Sequence, residues 1–256
     1  MGHAHGRFGW ADVAVPDTGA GAAFYTGLFG WEVRPPSGDD PMQYTLFLNE
    51  GQPVAGMSRL TGDERAAGQP PAWSSYVIVD DVRTLAEQFG AHGGTVLVEP
   101  FDIPEAGSMF FGLDPVGAAI GFWEAGEHGG AGAFDVPGAM TWNELACRDV
   151  AAALAFYEAI LPWTADSQDY DGFTYTSIVL DGESNGGYYD MTGVLPADTP
   201  PHWFIWYSVA DADATAARAT ELGGAVERAP NDTPFGRMAV IRDPQGPVFG
   251  VIALRQ

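Results

Sequence analysis

The sequence predicts an α+β protein of four βαβββ units, forming two tandem domains. Each domain is expected to have a curved mixed sheet, with helices outside and a concave cup inside. Three observations predict it. The chain repeats itself at a nearly constant offset. A fainter repeat of strand, aspartate, helix and stop lies within each half. The first strand of each half alternates between aliphatic residues on one face and tryptophan with a carboxylate on the other.

The long repeat is direct. "WADVAVPDTGAGAAFYTGLFGW" (10–31) aligns with "WNELACRDVAAALAFYEAILPW" (142–163) at an offset of 132. "PAWSSYVIVDDVRTLAEQFGAHGGTVLVEP" (71–100) aligns with "PHWFIWYSVADADATAARATELGGAVERAP" (201–230) at an offset of 130. "DPVGAAIGFW" (114–123) and "DPQGPVFGVI" (243–252) close the pair, each a turn running into an apolar strand with a central glycine. The expected domains are residues 1–125 and 139–256, joined by a glycine-rich linker, 126–138.

The elements follow in order within each unit. Asp17, Asp81, Asp149 and Asp211 stand where helix N-caps belong. The helices carry apolar i, i+4 pairs, Phe24/Leu28, Leu85/Phe89 and Phe156/Ile160. They stop at Gly30, Gly93-Gly94, Pro162 and Gly223-Gly224. Runs such as "YTLFL", "TVLVE", "FTYTSIVL" and "RMAVIRD" then read as strands. On the first strand Val13 and Val15 share one face, and Trp10, Asp12 and Ala14 the other. In the third unit Leu145 and Cys147 oppose Trp142, Glu144 and Ala146. The aliphatic face suits the helix, so the tryptophan and carboxylate face lines the cup. The repeat leaves open whether adjacent units pair along the chain or swap between the halves.

Composition excludes several classes. There are 11 basic and 34 acidic residues, a net charge of −23, which opposes binding to nucleic acid or anionic membranes. Every basic residue is arginine, so Schiff-base and pyridoxal phosphate chemistry through lysine is excluded. No apolar run approaches a membrane span of about 18 residues. No signal peptide is visible, and the lone Cys147 cannot form an intrachain disulfide; the expected location is cytoplasmic. No Walker loop, dinucleotide fingerprint or Ser-His-Asp order is present.

The paired βαβββ units, the "FYTGLFGW" and "FYEAILPW" helix ends, the "GGTV" and "GGAV" turns and the "DPxG" hairpins resemble the vicinal oxygen chelate superfamily. That group includes glyoxalase I, bleomycin-resistance proteins and extradiol dioxygenases. The chain is similar to its tandem two-domain actinobacterial type. Metal-dependent members hold a divalent ion in the cup, with ligands on the first and last strand of each unit. The resemblance places Trp10, Ser74, Trp142 and Phe204 at the first-strand ligand positions. It places Gly56, Gly121, Tyr188 and Gly250 at the last-strand ones. None is a usual donor for such an ion. The expectation is therefore a protein without metal or other cofactor. Gly121 and Gly250 would make room for an indole, as a plug in a dead site, or for a ligand.

The expected ligand-binding set is Trp10, Gly56, Ser74, Tyr76, Gly121, Trp123, Trp142, Tyr188, Phe204, Trp206 and Gly250. Asp12 and Glu144 are the candidate catalytic carboxylates. Desolvation among indoles would suit either to act as a general base. The alternative is a purely structural hydrogen bond to an indole or phenol. His3, His5, His92, His128 and His202 are scattered and read as surface residues, and Cys147 as a buried, inert thiol.

The expected function is metal-independent binding of, or action on, a small hydrophobic or aromatic molecule, with lyase, isomerase and cofactor-independent hydroxylase as candidate reactions. The alternatives are a sequestering protein of the bleomycin-resistance kind and a metal-dependent glyoxalase or dioxygenase with other ligands. The expected partner is a small molecule, and the expected state is a monomer with an internal pseudo-dimer or a homodimer.

Overall fold

The computed structural model describes residues 3–36, 44–66, 68–170 and 172–255. In the first half the elements are β1 (Phe8–Val15), α1 (Thr18–Phe29), β2 (Glu32–Arg34), β3 (Thr45–Asn49), β4 (Gln52–Arg59), α2 (Gly62–Ala66), β5 (Ala72–Ile78), α3 (Val82–Ala91), β6 (Thr95–Ile103), β7 (Gly107–Leu113) and β8 (Ala119–Ala125). In the second half they are β9 (Met140–Cys147), α4 (Val150–Ile160), β10 (Thr164–Tyr170), β11 (Phe173–Leu180), β12 (Glu183–Asp190), β13 (His202–Ser208), α5 (Ala212–Glu221), β14 (Ala225–Asp232), β15 (Gly236–Arg242) and β16 (Val248–Leu254). The four expected βαβββ units are present, with the short α2 added to the first.

Each half forms one eight-stranded mixed sheet. The orders are β2-β3-β4-β1-β5-β8-β7-β6 and β10-β11-β12-β9-β13-β16-β15-β14, so units pair along the chain. In every unit the first strand runs parallel to the last, and the remaining pairs are antiparallel. Among the described residues no helix is long and apolar enough to cross a membrane.

The helices begin where local chemistry dictates. The Asp17, Asp81, Asp149 and Asp211 carboxylates accept from first-turn N–H groups at 2.9–3.0 Å, each cap worth about 1 kcal/mol. Gly30 closes α1 with φ 73°, a left-handed conformation that glycine adopts without strain.

Packing cuts across the sequence repeat. One compact unit comprises Met1–Trp10, Ser75–Gly130 and Trp142–Phe204. The other comprises Ala11–Ser74, Ala131–Thr141 and Ile205–Gln256. In the first unit α3 packs on α4, with Phe89 edge-on to Phe156 at 5.1 Å. Val77, Phe122, Leu145, Cys147 and Tyr188 form the sheet side of that core. In the second unit α1 packs on α5 over Val13, Met57, Tyr207 and Phe249. Cys147 is fully buried as expected, and burial pushes its thiol up to about 12.

The same polar triad sits in each core. Tyr157 donates to Asp114 at 2.9 Å and accepts from the Trp203 indole at 2.9 Å. Tyr25 donates to Asp243 at 2.8 Å and accepts from Trp73 at 3.1 Å. Each aspartate opens a "DPxG" turn, and its other oxygen accepts two backbone N–H groups of that turn. In each triad the tyrosine and the aspartate come from opposite halves of the repeat.

Burial raises the pKa of Asp114 and Asp243 above 3.8, and the phenols well above 10. A raised native pKa means that the folded state holds the proton more tightly. The stability these aspartates contribute is therefore fully present below the unfolded pKa and is lost as pH rises from there through the native one. Tyr157→Phe removes the phenol that offsets this at Asp114 and strands the Trp203 N–H. It should cost about 2–4 kcal/mol at neutral pH. The deficit should widen as pH rises above the ordinary carboxylate range, because losing the phenol raises the Asp114 pKa further, and urea unfolding of both proteins across pH measures it.

Candidate functional site

The face opposite the helices carries the candidate residues. On β9 the side chains of Trp142 and Glu144 point away from the core that holds Leu145 and Cys147. Gly187 on β12 is the register partner of Glu144. Its missing side chain is filled by the Tyr175 phenol from β11, against which any Cβ at 187 would collide. Tyr175 donates to Glu144 Oε2 at 3.1 Å and accepts from the Trp142 indole N–H at 2.6 Å. Burial, and then the charge of Glu144, push the Tyr175 pKa well above 10, so it remains a donor.

The other unit carries a shorter version. Asp12 on β1 is the register partner of Gly56 on β4. The Tyr44 hydroxyl occupies the space at Gly56 and donates to Asp12 Oδ2 at 3.4 Å. Sequence reasoning missed Tyr44 and Tyr175, which repeat at an offset of 131 inside "YTLFL" and "FTYTSIVL".

Gly121 and Gly250 also make room, for partners other than the expected Trp10 and Trp142. Tyr76 is the register partner of Gly121, and its ring lies where a Cβ would stand. The Trp206 ring does the same over Gly250. Tyr188 is displaced from its expected role: it is buried in the helix-side core against Tyr157 and Trp203, and Gly187 takes the position. Ser74 and Phe204 are half-buried, with Phe204 at 6.2 Å from the His202 ring. Trp10 and Trp123 meet at His128, which sequence reasoning placed on the surface; its ring is 4.3 Å from Trp10 and 5.6 Å from Trp123. The structure thus joins Trp142 with Glu144, Tyr76 with Gly121, Asp12 with Gly56 and Trp206 with Gly250. It leaves Asp12 and Glu144 on separate sheets.

The residues at the expected ligand positions do not fit a divalent ion. They offer indoles, a phenyl ring, the Ser74 hydroxyl, the core-buried Tyr188 phenol and glycines, and phenol or indole rings fill the space at the glycines. Among the described residues no group of three or more His, Cys, Asp or Glu side chains could hold a metal.

The family model described as Glyoxalase/Bleomycin resistance protein/Dioxygenase superfamily matches residues 7–122 and again 139–250. The chain belongs to this superfamily. It is 38% identical over 249 residues to a protein named glyoxylase CFP32 from Mycobacterium tuberculosis, covering 95% of this chain and 93% of that one. It is 36% identical over 263 residues to the anthracycline biosynthesis protein DnrV of Streptomyces peucetius, covering 99% and 95%. The Mn(II)-bound glyoxalase from Novosphingobium aromaticivorans shares the fold with a TM-score of 0.67 at 18% identity, over 97% of this chain and 82% of that one. The 2,3-dioxygenase LapB from Pseudomonas sp. KL28 shares it at 0.65 and 15%, over 97% and 93%.

Within this superfamily fold the glycine–ring pairs are directly testable. Gly121→Ala forces a methyl into the Tyr76 ring and should cost about 1–3 kcal/mol by overpacking. Combining it with Tyr76→Ala should give a loss smaller than the sum of the two single losses, read by thermal unfolding in a double-mutant cycle. Additive losses would mean that the ring does not need the glycine.

Proposed function

We propose that the chain is a metal-independent member of the superfamily that moves a proton on a small, planar, hydroxylated aromatic molecule, with Glu144 as the base. The observation that carries this reading is the hydrogen-bonded chain from Trp142 through Tyr175 to Glu144. The indole N–H occupies a lone pair of the phenol oxygen, so the phenol proton is directed at the carboxylate. Glu144 is thereby held in one orientation beside aromatic surface, as a base must be before proton transfer.

Removal of a proton from carbon next to a substrate carbonyl would leave an enolate and a neutral Glu144 carboxyl. Return of the same proton to another carbon completes an isomerisation, and its delivery to a β-hydroxyl of the substrate, with cleavage of that C–O bond, expels water in an elimination; neither needs an external oxidant or reductant. The half-buried Trp142 beside Glu144 offers flat surface for a planar ligand. The similarity to DnrV, named for anthracycline biosynthesis, supports a polycyclic aromatic ligand.

A sequestering role is the second reading. It is favoured by the Trp142 ring beside the carboxylate, because stacking alone needs no base. The two separate on a panel of hydroxylated anthraquinones and related tetracyclic ketones. For an enzyme, Glu144→Gln should lower kcat by about 10²–10⁴-fold and leave affinity within a few-fold. Tyr175→Phe should lower kcat less, because the base survives without its orienting partner. For a sequestering protein, the wild type binds without turnover and Glu144→Gln changes affinity alone. Stoichiometric metal in the purified protein, with activity lost on chelation, would overturn the metal-independent reading.

A further inference from the structure

His128 serves neither the acid–base chain nor the hydrophobic cores, yet its place is closely determined. Its backbone N–H donates to the Ala106 carbonyl at 3.1 Å, and its own carbonyl accepts the Trp123 indole N–H at 2.9 Å. The N–H groups of Gly126 and Glu127 bond to the carbonyls of Ala106 and Glu105 in the turn between β6 and β7. Gly130, with φ 96°, passes so close to β1 that a Cβ would lie 2.6 Å from the Gly9 carbonyl oxygen.

Anchored in this way, the imidazole stands edge-on to Trp10, with ring centroids 4.3 Å apart and an interplanar angle of 85°. It is inclined at 62° to Trp123, 5.6 Å away. Its Nε2 is buried and has no hydrogen-bond partner among the described residues. A nitrogen in that position has given up water for nothing, a loss that a solvated linker histidine would not meet. Burial pushes its pKa down to about 4, so the ring is neutral at neutral pH. What holds it is aromatic contact with two indoles.

We propose that Trp10 and Trp123 form a berth for a planar aromatic ring of the ligand, and that the His128 imidazole fills this berth until the ligand displaces it. The inference rests on the reading that the ligand is a planar aromatic molecule. Displacement needs only side-chain rotation, because backbone atoms make the bonds that secure the linker. On leaving, Nε2 regains water, and the indoles exchange a five-membered ring for a larger one. Apparent affinity is lowered in proportion to the time the berth is closed. The second half of the chain has Ile252 at the repeat position of Trp123, so the berth belongs to the first half alone.

The test titrates the full chain with 1,4-dihydroxyanthraquinone and follows quenching of tryptophan fluorescence. His128→Ala keeps the backbone bonds and empties the berth, so its Kd should fall about tenfold relative to wild type. His128→Trp fills the berth with a ring too large to displace and should weaken binding at least as much. Free imidazole should compete with the probe in His128→Ala and leave wild type unaffected. His128→Asn, too short to reach the berth, repeats the test if the alanine variant folds poorly. Equal or weaker binding by His128→Ala, unchanged binding by His128→Trp, or absence of imidazole competition overturns the proposal. If the probe binds no form of the protein, the aromatic-ligand reading fails and the berth falls with it. If it binds wild type and His128→Ala alike, the proposal falls while the aromatic-ligand reading stands.

Discussion

Asp114 and Asp243 are carboxylates exposed by only 3% and 2%, and the packing of both units depends on the phenols that hold them. Taking such a group out of water costs several kcal/mol unless hydrogen bonds replace the lost solvation. Turn N–H groups satisfy one oxygen of each. The other oxygen has a tyrosine from a helix of the opposite half, Tyr157 for Asp114 and Tyr25 for Asp243. Trp203 and Trp73 cap those phenols in turn. Neither half can satisfy its own buried aspartate from its own helix. The triad therefore couples the "FY" helices, the "W" strands and the "DPxG" turns into one requirement, met twice. It accounts for the repetition of all three motifs at matching places in both halves.

Local physics explains why much of the fold could be read from the sequence. An aspartate cap acts on the next three residues, and strand alternation needs only a count of two. The helix starts at Asp17, Asp81, Asp149 and Asp211 and the outward face of Trp142 and Glu144 were accessible for that reason. The triads were not. Tyr25 and Asp243 are 218 residues apart, and nothing local to "DPQG" indicates which phenol meets the outer oxygen. Sheets that pair along the chain, with helix cores built across the halves, satisfy one repeat in two ways at once. A repeat alone cannot distinguish them.

The site was legible to the strand and illegible to the residue. The offset between halves is 132 at Trp10 and Trp142 but 131 at Gly56 and Gly187. One position is lost on the way, so carrying 132 forward lands on Tyr188 instead of Gly187. Because side chains alternate, that single step exchanges a residue opposite the helices for one in the core. Register shifts in the pairing of β3 with β4 and of β11 with β12 lie in the same stretch. The glycines themselves were a sound signal, since glycine weakens a strand unless the space is needed. Their beneficiaries are phenol and indole rings on or next to the neighbouring strands: Tyr44, just before β3, and Tyr76, Tyr175 and Trp206.

Duplication copied this arrangement, and the copies then diverged by small distances with chemical consequences. Tyr175 lies 3.1 Å from Glu144, whereas Tyr44 lies 3.4 Å from Asp12, near the limit at which a hydroxyl bond retains strength. The two carboxylates also differ by one methylene group, and Tyr175 is held from its other side by the Trp142 indole N–H. In the first half the aromatic partners of Trp10 and Trp123 converge on an imidazole instead. One backbone plan thus presents a hydrogen-bonded Trp–Tyr–Glu chain in one copy and an imidazole against two indoles in the other. Because neither arrangement shares a side chain with the buried triads, each copy can change on this face without disturbing the phenols that hold Asp114 and Asp243.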